Sequence, residues 1–224
     1  MSQNPYAVAR PSDSVLATNK LIRSTYMLLS MTLLFCAAMA AVSVVIRASY
    51  GISMVCSIAA LVLIWFVIPR YRNSTAALPL TFLFTGLLGF GLGPMLNYYL
   101  TSFSNGSELI LTAAGGTGLI FLGLSGYVMT TRKDFSFMGG FLFVGLIVAI
   151  VGLIVAMIFS VPGLYLGISV MMILLMSGFI LFDTSRIIHG GETNYVMATI
   201  SLFLDILILF QYLLSLLGAF AGDD

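Results

Sequence analysis

Charge is what this chain has least of. Only 8% of its 224 residues are Asp, Glu, Lys or Arg, against 60% hydrophobic. A soluble domain carries about 25% charged residues, so the composition implies an integral membrane protein. Cysteine is nearly as scarce: Cys36 and Cys56 both fall in apolar segments, too few for a disulfide scaffold or a thiolate metal centre. The one histidine, His189, sits in IIHGGETNY and reads as a loop or interface residue. No HExxH, GxSxG, CxxC or Walker pattern occurs, so no hydrolase or transferase site is expected, and neither an enzyme nor a resident cofactor is predicted. The basic residues are spread over separate loops, which gives no footprint for nucleic acid.

Long apolar runs are what the chain has instead. A helix needs about 20 mostly apolar residues to cross the hydrocarbon core. Seven candidates are present: Ser24–Ile46, Ile52–Ile68, Ala76–Leu100, Glu108–Thr130, Phe137–Phe159, Leu164–Ile188 and Tyr195–Phe220. Short punctuation separates them: Pro69 before Arg70 and Arg72, then Ser104-Asn105-Gly106 and Val161-Pro162-Gly163. No period-2 alternation supports the other spanning option, a closed barrel. The fold class is therefore an all-α integral membrane protein, one bundle over residues 20–224. The polar stretch at 1–19 reads as a flexible cytosolic tail, and the first apolar run is too long for a cleaved signal peptide.

Basic residues set the orientation. With the N-terminus inside, Arg10, Lys20, Arg23, Arg70, Arg72, Arg132, Lys133 and Arg186 are cytoplasmic, and only Arg47 is opposite. Seven crossings then put the C-terminus in the periplasm. A six-crossing alternative, with a re-entrant last segment, returns it to the cytoplasm. The length of that segment, uninterrupted before Gly218, favours seven.

The 22 glycines cluster in the third segment (Gly86, Gly89, Gly91, Gly93) and the fourth (Gly115, Gly116, Gly118, Gly123, Gly126). Small residues let helix backbones approach in lipid, so these read as packing positions. A phosphate loop is ruled out, because no strand precedes them and no lysine follows at the required spacing. Gly93-Pro94 is expected to kink or end the third helix, with Asn97, Tyr98 and Tyr99 in the interface. Glu108 and Glu192 fall at helix ends, where carboxylates cap or offset the dipole.

Two acids do not fit an apolar bundle. Asp183 lies in ILLMSGFILFDTSRII and Asp205 in MATISLFLDILILFQYLLSLLGAF. A carboxylate at bilayer depth costs at least ~2.5 kcal/mol and usually faces a protein interior. One reading is structural, with Asp183 held by Arg186 or Ser185 and Asp205 hydrogen-bonded to a neighbouring helix. The other brings the two carboxyls together between the last two helices. Both cannot then be charged cheaply, so the pair shares a proton, and when both ionise it attracts a hard cation such as Ca²⁺. Counted at about 1.5 Å per residue from Ile188 and Tyr195, Asp183 lies ~8 Å deep and Asp205 ~15 Å. They come level only if the helices tilt or stagger, or if Tyr195–Ala198 lie in the interface. An intramembrane aspartyl protease would also use two aspartates, but its glycine-flanked motif is missing.

FDTSRIIHGG paired with TISLFLDILILFQYLLSLLG resembles the end of the Bax-inhibitor-type (transmembrane Bax inhibitor motif) family. LTFLFTGLLGFGLGPMLNYYL, TTRKDFSFMGG and IIHGGETNYVMATISL resemble its bacterial, YccA-like branch, modulators of the FtsH protease. The resemblance covers the chain from about Asn19 onward. It implies a seven-helix bundle in the bacterial inner membrane and a non-enzymatic regulator whose partner is the FtsH protease complex, with residues 1–19 as the segment a protease grips. For other members of the wider family it implies a pH-sensitive calcium leak gated by two acids in the last two helices, matched here by Asp183 and Asp205. Arg186 is the local partner of Asp183, and Arg70 is the position nearest to a basic residue that contributes to closure in some members.

Overall fold

Without water to serve the backbone, a chain in lipid must satisfy its N–H and C=O groups internally. In a computed structural model, which describes residues 11–159 and 162–221, all regular structure among the described residues is helical. The helices are α1 (Pro11–Val45), α2 (Tyr50–Val62), α3 (Ile68–Tyr71), α4 (Ala77–Gly91), α5 (Gly93–Ser102), α6 (Gly106–Thr131), α7 (Gly139–Phe159), α8 (Pro162–Ile188) and α9 (Tyr195–Ala221). They make seven segments long and apolar enough to cross a membrane, as expected: Thr18–Val45, Tyr50–Tyr71, Ala77–Ser102, Gly106–Thr131, Ser136–Phe159, Gly163–Ile188 and Tyr195–Ala221. The last is unbroken over 27 residues, about 40 Å at helical rise, which leaves no place for a re-entrant turn.

The predicted tail lies partly outside the described residues. From Pro11 the chain is already helical, so the first helix starts well before Ser24. Proline suits a first helical position, where its missing N–H would have had no partner.

The bundle is organised around α9, which packs against α1, α6 and α8, while α1 also packs along α4 and α7 along α8. α9 buries residues on every side, among them Ile200, Leu202, Phe203, Leu209 and Leu214. By contrast the second crossing (Tyr50–Tyr71) and α7 turn large side chains outward, including Trp65, Phe66, Phe141 and Phe143. In lipid such exposure carries no penalty. Three loops share one end of the bundle, which also holds Arg70, Arg72, Arg132, Lys133 and Arg186 (the basic end). There Asn194 donates to the Arg72 carbonyl and to Asn73, both at 2.9 Å, and its own amide oxygen caps α9 by accepting from Val196 and Met197 at 3.0 and 3.1 Å.

Local departures have local causes. Between α2 and α3 the chain makes a π turn over Leu63–Val67. Pro69 follows, and the wider turn accommodates a ring that would otherwise press on the preceding turn. The third crossing breaks at Leu92 and restarts at Gly93-Pro94, as the sequence indicated. Tyr98 is exposed as an interfacial residue should be, but Tyr99 is buried; it stacks on Phe103 with centroids 5.5 Å apart and packs over Gly218 of α9. The packing role expected of the fourth-segment glycines holds only for Gly116, which faces Leu213. Gly115, Gly118, Gly123 and Gly126 meet nothing within 4 Å. The buried stripe of α6 is instead Leu109, Ala113, Thr117, Phe121, Ser125 and Val128, and those four glycines fall off it.

Gly89 differs: a Cβ there would lie 2.3 Å from the Cys36 carbonyl oxygen, so α1 and α4 touch backbone to backbone. Gly89→Ala should destabilise the bundle by about 1–3 kcal/mol, as overpacking does. Gly123→Ala should be neutral or add up to about 1 kcal/mol from helix propensity. Unfolding of both variants in one detergent checks the contrast.

Candidate functional site

Successive residues on a helix point about 100° apart, so three consecutive buried polar residues require neighbours on most sides. The last turns of α8 present this case. Asp183, Thr184 and Ser185 are 9%, 1% and 0% exposed. Thr184 meets Ser125 of α6 at 3.2 Å, and Ser125 bonds in turn to the Tyr26 hydroxyl of α1. The Ser185 hydroxyl accepts the Phe135 N–H at 2.9 Å and lies 3.3 Å from Asp134 Oδ1. It thus serves the loop between α6 and α7, not Asp183. Arg186 holds Asp183 at 3.7 Å, the i,i+3 pair read from the sequence. The guanidinium also lies over the Phe182 ring at 5.5 Å and donates to the Gly191 carbonyl at 3.4 Å.

Asp205 projects from the middle of α9 and is 7% exposed. Its Oδ2 finds no hydrogen-bond partner among the described residues. The charge that bears on it is Asp183, and those bearing on Asp183 are Arg186 and Glu192. The two acids are therefore within electrostatic range, although α8 ends at Ile188 and α9 begins at Tyr195, which leaves the depth mismatch in place. Side-chain direction reduces it. Helical side chains lean toward their own N-terminus, and α8 and α9, joined by a short loop, are antiparallel. Asp183 therefore leans away from the basic end and Asp205 toward it, so the carboxyls converge in depth.

The other predicted site residue, Arg70, lies in the last turn of α3, is exposed, and makes no ion pair among the described residues. Cys36 and Cys56 are both free thiols. Among the described residues no three His, Cys, Asp or Glu gather as a metal site. Outside the spans, Asp134 accepts from the Ser136 N–H at 2.8 Å, and the hydroxyl and N–H of Ser136 hold its carboxyl below the usual carboxylate range. Tyr26, Ser125 and Thr184 did not stand out in the sequence. Tyr26 and Ser125 lie 99 residues apart, and single hydroxyls in apolar helices usually bond their own i−4 carbonyl, as Thr81 and Thr117 do here.

Seven apolar helices with two buried acids define a multi-pass membrane protein that keeps ionisable groups at depth. The family model described as inhibitor of apoptosis-promoting Bax1 matches residues 18–222. An uncharacterized membrane protein of Vibrio cholerae is 48% identical over 95% of each chain. The modulator of FtsH protease YccA of Escherichia coli K12 is 43% identical over 94% of each chain. A protein of a second Escherichia coli strain, named inner membrane protein YccA, matches to the same extent. The chain belongs to the Bax inhibitor family, and the spans with that last relative support a multi-pass protein of the inner membrane.

An unpartnered carboxylate oxygen in the interior costs stability, and Asn keeps its shape without the charge. Asp205→Asn should raise the melting temperature by the equivalent of about 1–3 kcal/mol. Asp183→Asn removes the repulsion from Asp205 but also the pair with Arg186, so the two effects oppose and the net change should be no more than about 1 kcal/mol. Thermal unfolding of the two variants beside the parent checks this.

Proposed function

We propose that this protein is a non-enzymatic regulator of the inner membrane that binds the FtsH protease complex and restrains its proteolysis of membrane proteins. The observation that carries this reading is the 43% identity to the modulator of FtsH protease YccA over 94% of both chains. In this reading the basic end is cytoplasmic, as the distribution of Lys and Arg requires, and the C-terminus is periplasmic. Regulation by contact needs no catalytic group.

Overexpression of the full chain should lengthen the half-life of a membrane substrate of FtsH by several fold, and tagged protein should co-purify with the protease. An unchanged half-life would overturn this function.

Asp183 and Asp205 favour a second reading, a pH-sensitive calcium leak. A protein that only bound a partner would have no use for an acid buried with an unpartnered oxygen. Ca²⁺ takes six to eight oxygen ligands, so two carboxylates suit a passing ion better than a resident one. Arg186 supplies the charge that competes with a cation at Asp183, and Arg70 stands at the same end as a further closing group. In liposomes, calcium flux should rise with pH and should lose that dependence in Asp205→Asn. Equal flux and pH response in the variant would remove the acids as the gate.

A further inference from the structure

His189, expected as a loop or interface residue, has a fixed place between two loops. It follows Ile188 as the cap of α8. Gly190, at φ +78°, turns the chain left-handed, and the Gly191 N–H returns to the Arg186 carbonyl at 2.8 Å. This is the six-to-one bond of a Schellman cap. The imidazole is thereby held against the loop between α6 and α7. Its Nδ1 lies 2.9 Å from the Ser185 carbonyl oxygen, and its Nε2 lies 3.1 Å from the Arg132 carbonyl oxygen.

Carbonyl oxygens only accept. Neutral imidazole has one N–H, and imidazolium has two, so only the protonated ring donates to both. We propose that His189 is a proton-operated clasp: as imidazolium it ties the end of α8 to the 132–135 loop, and on losing a proton it releases part of that tie.

The proton bookkeeping is closed within the cluster. With both ring nitrogens protonated, the Ser185 hydroxyl keeps accepting from Phe135 and gives its own proton to Asp134 Oδ1, 3.3 Å away. If Nε2 loses its proton to water, the bond to Arg132 breaks. If Nδ1 loses it, that nitrogen becomes an acceptor 3.3 Å from the Ser185 hydroxyl, which turns to it and leaves Asp134. Either way one tie to the loop is lost. The loop also carries strain that the tie opposes, because Arg132 sits at φ +51°, where a residue with a Cβ is unfavourable by roughly 1–2 kcal/mol.

The charged residues on the elements packed against the ring are Arg132, Lys133 and Asp134 in the loop, Asp183 and Arg186 on α8, Glu192 after it, and Lys20 and Arg23 on α1. Of these, Asp134 is the one on which the His189 charge bears. Its carboxyl is held below the ordinary range, so it stays ionised across the range where histidine titrates and is a constant counter-charge. Arg132 and His189 also line a cavity of about 580 Å³ that reaches Asn19 and Ile22 of α1, so release changes a wall of that cavity. The clasp stands apart from both functional readings: it needs neither a protease nor an ion.

Hydrogen exchange of the full chain in nanodiscs, corrected for the intrinsic effect of pH, tests this at the peptide containing Phe135. Protection should fall about three- to tenfold between about pH 5.5 and 8, the effect of one hydrogen bond. His189→Ala should show the lower protection at both pH values. Asp134→Asn should keep the step, since the proton is gained and lost on the imidazole and not on the carboxylate. Protection that does not vary with pH in the parent, or a step that persists in His189→Ala, overturns the clasp.

Discussion

A carboxylate carried to bilayer depth has no water to turn to, so its cost must be met by position and by neighbours. Asp205 meets it by lying in the middle of α9, the helix the others enclose. Asp183 meets it near the end of α8, where Arg186 reaches back to it and the headgroup region is close. The antiparallel pairing of α8 and α9 then brings the two carboxyls toward the same depth. Thr184 and Ser185 extend the same polar segment sideways, to α1 and α6 and to the 132–135 loop. The segment Asp183–Arg186 is thus where four parts of the bundle are tied together.

The crossings were legible in the sequence because hydropathy reports directly on the solvent a helix faces. Their ends were nearly as clear, since Pro, Gly and Arg mark them; Gly93-Pro94 broke the third crossing where expected. Helix rotation was much less legible. In lipid both the outer and the inner faces are apolar, so periodicity gives little sign of which side is buried. That is why the glycines of α6 resembled a packing surface, while the buried stripe carried Ala113, Thr117 and Ser125. Tyr99 was misplaced for a related reason: an aromatic near a helix end reads as an interfacial anchor unless a glycine on another helix, here Gly218, makes room for it.

The candidate site divides in the same way. Charge at depth is rare enough that Asp183 and Asp205 stand out with no structure, and Arg186 follows from helical spacing. Contacts between distant segments do not: nothing local in the sequence connects Tyr26 to Ser125, Asn194 to Arg72, or His189 to Arg132. The last two connect separate loops at the basic end.

The central physical claim is that Asp183 and Asp205 act on one another across the α8–α9 contact. A double-mutant cycle of Asp183→Asn and Asp205→Asn, read by unfolding of the full chain in one detergent at one pH, tests it most directly. The account predicts non-additivity of about 0.5–3 kcal/mol, because neutralising either acid removes the same repulsion. Stability changes that add to within about 0.3–0.5 kcal/mol would show two independent buried acids and contradict it.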